Sequence, residues 1–200
     1  ITVEHNLENG YTLTSITGAR KDSVATEWDI DGAPIDGIAV DVYTEQKLLS
    51  QEFRINYTAS DRYDYIAGLY FLRQENFNQQ NDILGVDFVP SLAGAFFFVH
   101  DVNVTSKAAF VHTNFYLNDQ WTLFAGARYT DEKKTLSAMT TRCESGYCAS
   151  LSVGERISAP VDITDGEPSW LIGLRHVFTE DFMGYASVST GFKSAAFNDP

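Results

Sequence analysis

The chain has 200 residues, 44% of them apolar and 20% charged, a balance that suits a folded domain and excludes a disordered tail. Its 27 acidic and 14 basic side chains leave a net charge of −13, which repels phosphate backbones and excludes nucleic acid as a partner. The longest unbroken apolar stretch, Leu92 to Val99, falls far short of the roughly 20 residues of a membrane-spanning helix, so the one route left across a bilayer is a β-barrel.

Apolar spacing near 3.6 is scarce, whereas period-two runs rich in Tyr, Phe, Thr and Val recur along the whole length. The chain opens at Ile1 Thr2 Val3 in a strand-like run with no basic-then-apolar leader, so it reads as a piece of something longer. In chain order, strands are expected over 2–7, 11–21, 48–58, 63–75, 106–117, 121–134, 169–178 and 182–193. Tight polar turns, Glu8 to Gly10, Ala59 to Arg62, Asn118 to Gln120 and Thr179 to Asp181, join them in pairs. Long excursions separate the pairs: Asp22 to Gln46, Asn76 to Thr105, Thr135 to Pro168, and a fourth after Lys193. Short turns at one end and long loops at the other describe an antiparallel up-and-down meander with one decorated rim.

The run from Trp121 to Thr130 shows what the two faces are made of. Trp121, Leu123, Ala125, Ala127 and Tyr129 share one face, and Thr122, Gly126, Arg128 and Thr130 share the other. Phe182 to Lys193 repeats the pattern, with Ala186 and Val188 on the apolar side. Runs of this length match the roughly 9–11 residues of a transmembrane strand better than the roughly 5–6 of a globular one. Aromatic residues near their ends suit two interfacial girdles, with small apolar residues between them for lipid.

Several groups are candidates for chemistry. Cys143 and Cys148 flank Glu144 Ser145 Gly146 Tyr147 in the third excursion and suggest a small local disulfide. No second Cys or His pair stands at ligand spacing, so no metal site is expected. The first excursion holds Asp22, Glu27, Asp29, Asp31, Asp36, Asp41 and Glu45 without a Lys or Arg, and the register of a calcium-binding EF-hand is not met. Trp28, Asp29 and Asp31 there, with Phe96, Phe97, Phe98 and His100 in the second excursion, are candidate contacts for a ligand at a barrel mouth. Glu52, Arg54, Arg73, Arg128, Glu132, Arg175 and Lys193 are expected to line a lumen. No catalytic constellation and no cofactor motif is found.

Gln51 to Ile55, Tyr65 to Phe71 and Trp121 to Lys134 resemble the middle of the barrel of TonB-dependent outer-membrane receptors. Tyr185 to Asn198 is similar to that family's strand leading into a long loop, with Ala195 and Ala196 where glycines are usual, and Leu13 to Gly18 also looks familiar. The resemblance implies an all-β segment of a larger transmembrane barrel of about 22 strands. It also implies a transporter rather than an enzyme, in the outer membrane of a Gram-negative bacterium. It further implies partners: outer-membrane lipid, a plug domain and further strands absent from this chain, the TonB energy-coupling complex acting through the absent part, and a small-molecule ligand such as an iron chelate. The competing reading is a small complete eight-stranded barrel or surface adhesin, whose first and last strands would pair. A secreted β-sandwich is the third, disfavoured by strand length.

Overall fold

A computed structural model describes residues 1–87, 93–143, 156–157 and 159–197. They form one antiparallel sheet of strands β1 (Thr2–Asn6), β2 (Tyr11–Asp29), β3 (Ile38–Tyr57), β4 (Tyr63–Leu84), β5 (Gly94–Tyr116), β6 (Trp121–Cys143), β7 (Arg156–Ile157), β8 (Val161–Thr179) and β9 (Phe182–Ser189). The order is β1-β2-β3-β4-β5-β6-β8-β9, a meander, with the two-residue β7 paired onto β6. Among the described residues β1 and β9 are the two edges and do not pair with each other.

Local chemistry sets the tight turns. The first reverses at Asn9 (φ 65°) and Gly10 (φ 81°), conformations that Asn tolerates and Gly adopts without strain. Gly10 is needed for space as well, since a Cβ there would lie 2.2 Å from the Ala59 Cβ of the neighbouring turn. The Asn118 carboxamide oxygen accepts from the Gln120 and Trp121 amides, both at 2.9 Å, closing the β5-β6 turn as an Asx motif.

The strands run well past their expected ends. Most of the stretch from Asp22 to Gln46 is strand, because β2 continues to Asp29 and β3 starts at Ile38. Likewise β4 reaches Leu84, β5 starts at Gly94, β6 reaches Cys143 and β8 starts at Val161. In these upper halves neither face is uniformly apolar or polar, from the amides of β4 to the Phe96–Phe98 run of β5, so pairing persists without the clean alternation that marks a strand in sequence. Pro168, read as a boundary, lies inside β8 opposite Tyr129. It is tolerated because β9 stops opposite Leu171, leaving no partner there for the missing donor. At the other end β9 finishes at Ser189, so Lys193 lies beyond the sheet.

Paired residues of an antiparallel ladder share a face, so the continuous register from β2 to β8 assigns every side chain. One face carries Thr14, Arg54, Gly68, Phe110 and Arg128. Its small residues are buried, with Ser106 at 4% exposure and Ala108 at 8%, while the opposite face leaves Leu69 62% exposed. Side chains converge on a concave surface and diverge on a convex one, so the first face is the inner, concave side of this part of the sheet. Arg128 lies 5.5 Å from the centroid of Tyr70, two strands away, reaching it across the small side chain of Ala108.

Candidate functional site

The outer face is layered. Beside the tight turns a chain of rings runs Tyr11–Tyr57 (centroids 4.8 Å), Tyr57–Tyr63 (5.6 Å) and Tyr63–Phe115 (6.4 Å). It resumes as Trp121 stacked on His176 at 4.1 Å, then Phe178 and Phe182. Above it lie Ala67, Val111, Ala125 and Ile172, then a second aromatic row of Phe53, Tyr129 and Trp170, with Leu69 beside Phe53. An apolar groove of about 410 Å³ lies in that row around Ala109, with Phe53, Leu69, Phe71 and Tyr129 among its walls.

A charged collar follows at once on the same face. Lys21 and Lys47 both pair with Glu45, at 3.0 and 2.8 Å, Arg73 pairs with Glu75 at 2.9 Å, and Lys133 with Asp162 at 2.7 Å. Such exposed pairs, screened by solvent, add little to stability, so their interest is positional. They mark where the apolar band stops.

The collar corrects one lumen assignment. Arg73 pairs with Leu49 and Thr105 and stands two residues beyond Phe71, on the outer face. Glu52, Arg54, Arg128, Glu132 and Arg175 share the inner face, Arg54 with Glu52 as its ionic partner. Arg175 donates to Thr122 at 3.1 Å and Glu132 pairs with Lys134 at 3.2 Å. Arg128 also lies 5.9 Å from the Phe110 centroid and lines an inner recess of about 350 Å³ with His112, Gly126 and Ser169. Lys193, exposed, belongs to the segment after β9. That segment crosses the inner face, where Ala195 accepts from Lys134 Nζ at 2.7 Å and donates to Asp165 at 3.2 Å.

The candidate ligand contacts divide between the faces. Trp28, Phe96, Phe98 and His100 are on the inner face of the upper halves, whereas Asp29 and Phe97 are on the outer one. All three Phe residues belong to β5 rather than to a loop. Asp31 lies in the 30–37 loop, and its carboxylate is already engaged, accepting from the amides of Ala33 at 2.9 Å and Ile38 at 2.5 Å. Those two bonds, Ile38 first, hold its pKa below the ordinary carboxylate value. The loop is tied across to the next one. Asp36 donates its amide to the Asp87 carboxylate at 3.0 Å, and the Asp87 amide donates back to the Asp36 carbonyl at 3.0 Å. Among the described residues no three His, Cys, Asp or Glu side chains are grouped to hold a metal. The Cys143–Cys148 pairing lies outside the described residues.

What sequence reasoning missed is an amide ladder between those inner aromatics. Gln46 and Gln74 both donate to the Asn76 carbonyl oxygen, at 2.9 and 2.8 Å. Asn78 donates to Thr44 at 3.1 Å and Gln80 to Asp82 at 2.7 Å. The signal was present: Gln74, Asn76, Asn78 and Gln80 stand at every second position of one strand.

Comparison with known proteins fits this geometry. No curated protein matches the chain. In the solved structures it is similar to the ferric yersiniabactin uptake receptor FyuA from Yersinia pestis, with a TM-score of 0.74 and 12% identity over 93% of this chain. The match spans only 26% of that receptor, and at such identity it speaks to fold alone. The family described as TonB dependent receptor-like, beta-barrel matches residues 1–199, essentially the whole chain, and this protein therefore belongs to the TonB-dependent receptor β-barrel family.

Proposed function

We propose that this segment is part of the wall of an outer-membrane receptor in a Gram-negative bacterium. The receptor captures a scarce nutrient, such as a ferric siderophore, and imports it. Energy comes from the inner membrane through the TonB complex, acting on parts of the receptor beyond this segment. The observation that carries the reading is the layering of one continuous sheet. An apolar outer band bounded by aromatic rows suits lipid, the charged collar above it suits the headgroup level, and the tall upper halves project past it. The inner face over the same span carries the charged and polar residues Glu52, Arg54, Ser106, Arg128, Thr130 and Arg175, which suits a lumen wall around a plug.

Among the described residues the edges at β1 and β9 are unpaired, which favours this reading over a complete eight-stranded barrel. Each unsatisfied backbone group in hydrocarbon costs several kcal/mol, so the sheet needs further strands to close. The name of the structural neighbour, an uptake receptor for a ferric chelate, supports the nutrient class.

The test is deletion of the gene, followed by uptake of radiolabelled ferric chelates with and without a protonophore. Loss of energy-dependent uptake of one chelate, restored by the gene on a plasmid, is the expected result. Unchanged uptake of every iron, cobalamin and sugar source tried, together with lost surface adhesion, would overturn it in favour of an adhesin.

A further inference from the structure

From the upper inner wall we infer that the ligand is an uncharged molecule rich in carbonyl or hydroxyl oxygens, rather than an anionic chelate. This inference rests on the receptor reading above. The ladder register places every Lys and Arg in the upper halves of β3, β4 and β5 on the outer face: Lys47, Arg73 and Lys107. The inner positions at the same height are Val40, Val42, Thr44 and Gln46 on β3, then Gln74, Asn76, Asn78 and Gln80 on β4. On β5 they are Phe96, Phe98, His100 and Val102. Asp82 is the one permanent charge on the upper inner face of these three strands, and it is negative. On the flanking strands the described inner side chains include two cations in the row of Gln74, Arg20 on β2 and Lys134 on β6, and each is already paired with a carboxylate, Asp22 and Glu132.

An anionic ligand leaving water needs charge-assisted donors to replace its hydration. The upper inner face of these three strands presents none, and the flanking Arg20 and Lys134 are already neutralised by Asp22 and Glu132. An uncharged polar ligand needs neutral donors and acceptors in alternation, and the amide ladder supplies them. Each carboxamide carries two N–H donors and a carbonyl acceptor. The internal bonds of Gln46, Gln74, Asn78 and Gln80 use one N–H each. Their carbonyl oxygens and second N–H groups have no partner among the described residues, while the bonds already made hold the side chains in place. Phe98, paired with Gln80, adds an apolar surface beside the amides, and Trp28 closes the far side on β2. Asp29 at the end of β2 and the loop residues Asp31, Asp36 and Asp87 lie at the same rim and further disfavour the approach of an anion.

Two ligand sources share this chemistry. In a ferric tris-hydroxamate three monoanionic groups cancel the metal charge and leave a neutral, amide-rich shell. An oligosaccharide is neutral and hydroxyl-rich. A ferric tris-catecholate, by contrast, is trianionic.

The experiment is calorimetric titration of the detergent-purified full-length receptor with three probes: a ferric tris-hydroxamate, a linear glucose oligomer and a ferric tris-catecholate. Binding of either neutral probe at least tenfold tighter than the catecholate is expected, and which one binds identifies the source. Asn78→Leu and Gln80→Leu should each weaken that binding about tenfold, whereas Gln79→Leu, at the same height on the outer face, should leave it unchanged. Gln80→Lys should strengthen catecholate binding only, a change in preference that misfolding cannot produce. Tighter binding of the catecholate by the unmodified receptor overturns the inference and leaves the receptor reading intact. Equal loss from Gln79→Leu and Gln80→Leu also overturns it. Binding of none of the three probes overturns it too, and uptake in the deletion strain then decides whether the receptor reading falls with it.

Discussion

Ala125→Arg places a cation where the outer face should be least able to hold one. Trp121 and Tyr129 mark the lower and upper aromatic rows on β6, and Ala125 lies midway between them on the same face. At about 3.3 Å per residue and a tilt of about 45°, the two rows are separated by about 19 Å along the membrane normal, with Ala125 about 9 Å from each. An arginine at the midplane of a barrel costs about 2–4 kcal/mol, falling to about 0–1 kcal/mol at the interfaces. The unfolding equilibrium should therefore shift by about 30- to 900-fold. Urea titration of the full receptor folded into phospholipid vesicles measures it, with Asn103→Arg as control. Asn103 is on the same face opposite Glu75 and Thr135, above the apolar band, and its variant should change stability by under about 1 kcal/mol. Equal effects from the two variants would refute the depth assignment, and a neutral Ala125→Arg would remove the lipid-facing band altogether.

Gly10→Ala should destabilise the same vesicle-folded receptor by about 1–3 kcal/mol, from positive φ and the close approach to Ala59; an unchanged urea midpoint would contradict the turn geometry. Asp31 has a lowered pKa because its carboxylate accepts from Ile38 and Ala33. Its bracing of the loop is therefore complete above the ordinary carboxylate pKa and is lost as pH falls through the lowered value. Hydrogen exchange at the Ile38 and Ala33 amides should rise over that acid range, and Asp31→Asn should abolish the pH dependence. A rise that persists in the variant would place the titrating group elsewhere. Cys143 and Cys148 are expected to be bonded in receptor recovered from the cell envelope, so maleimide without reductant should label neither, and labelling of both would show free thiols.

The parts of the sheet readable from sequence are those with lipid-like chemistry on one side. Trp121 to Thr130 alternates because its outer residues are apolar while its inner ones, Phe124 apart, are small or polar, and the ladder keeps that division. The upper halves lose the contrast, since Glu45, Lys47, Gln46 and Thr44 are all compatible with water, and so they read as loop although paired throughout. Arg73 shows a different failure. Its period-two relation to Phe71 already pointed outward, but charge alone suggested a lumen, and the collar that accommodates an outward cation is visible only once Glu75 is placed beside it. The triple Phe96 to Phe98 could not all share a face in a strand, and they do not. The amide ladder spans β3 and β4, so its donors and acceptors meet only through a register that no local pattern encodes.

The most direct test of the two-faced wall is a scan of single spin labels at residues 121 to 129 in the intact receptor, reconstituted in lipid. Collision rates with oxygen, which partitions into the bilayer, should peak at 123, 125 and 127, and those with a water-soluble nickel chelate at 122, 124, 126 and 128. Rates without a two-residue period, or with the two reagents exchanged, would contradict the placement of this sheet as a barrel wall between lipid and lumen.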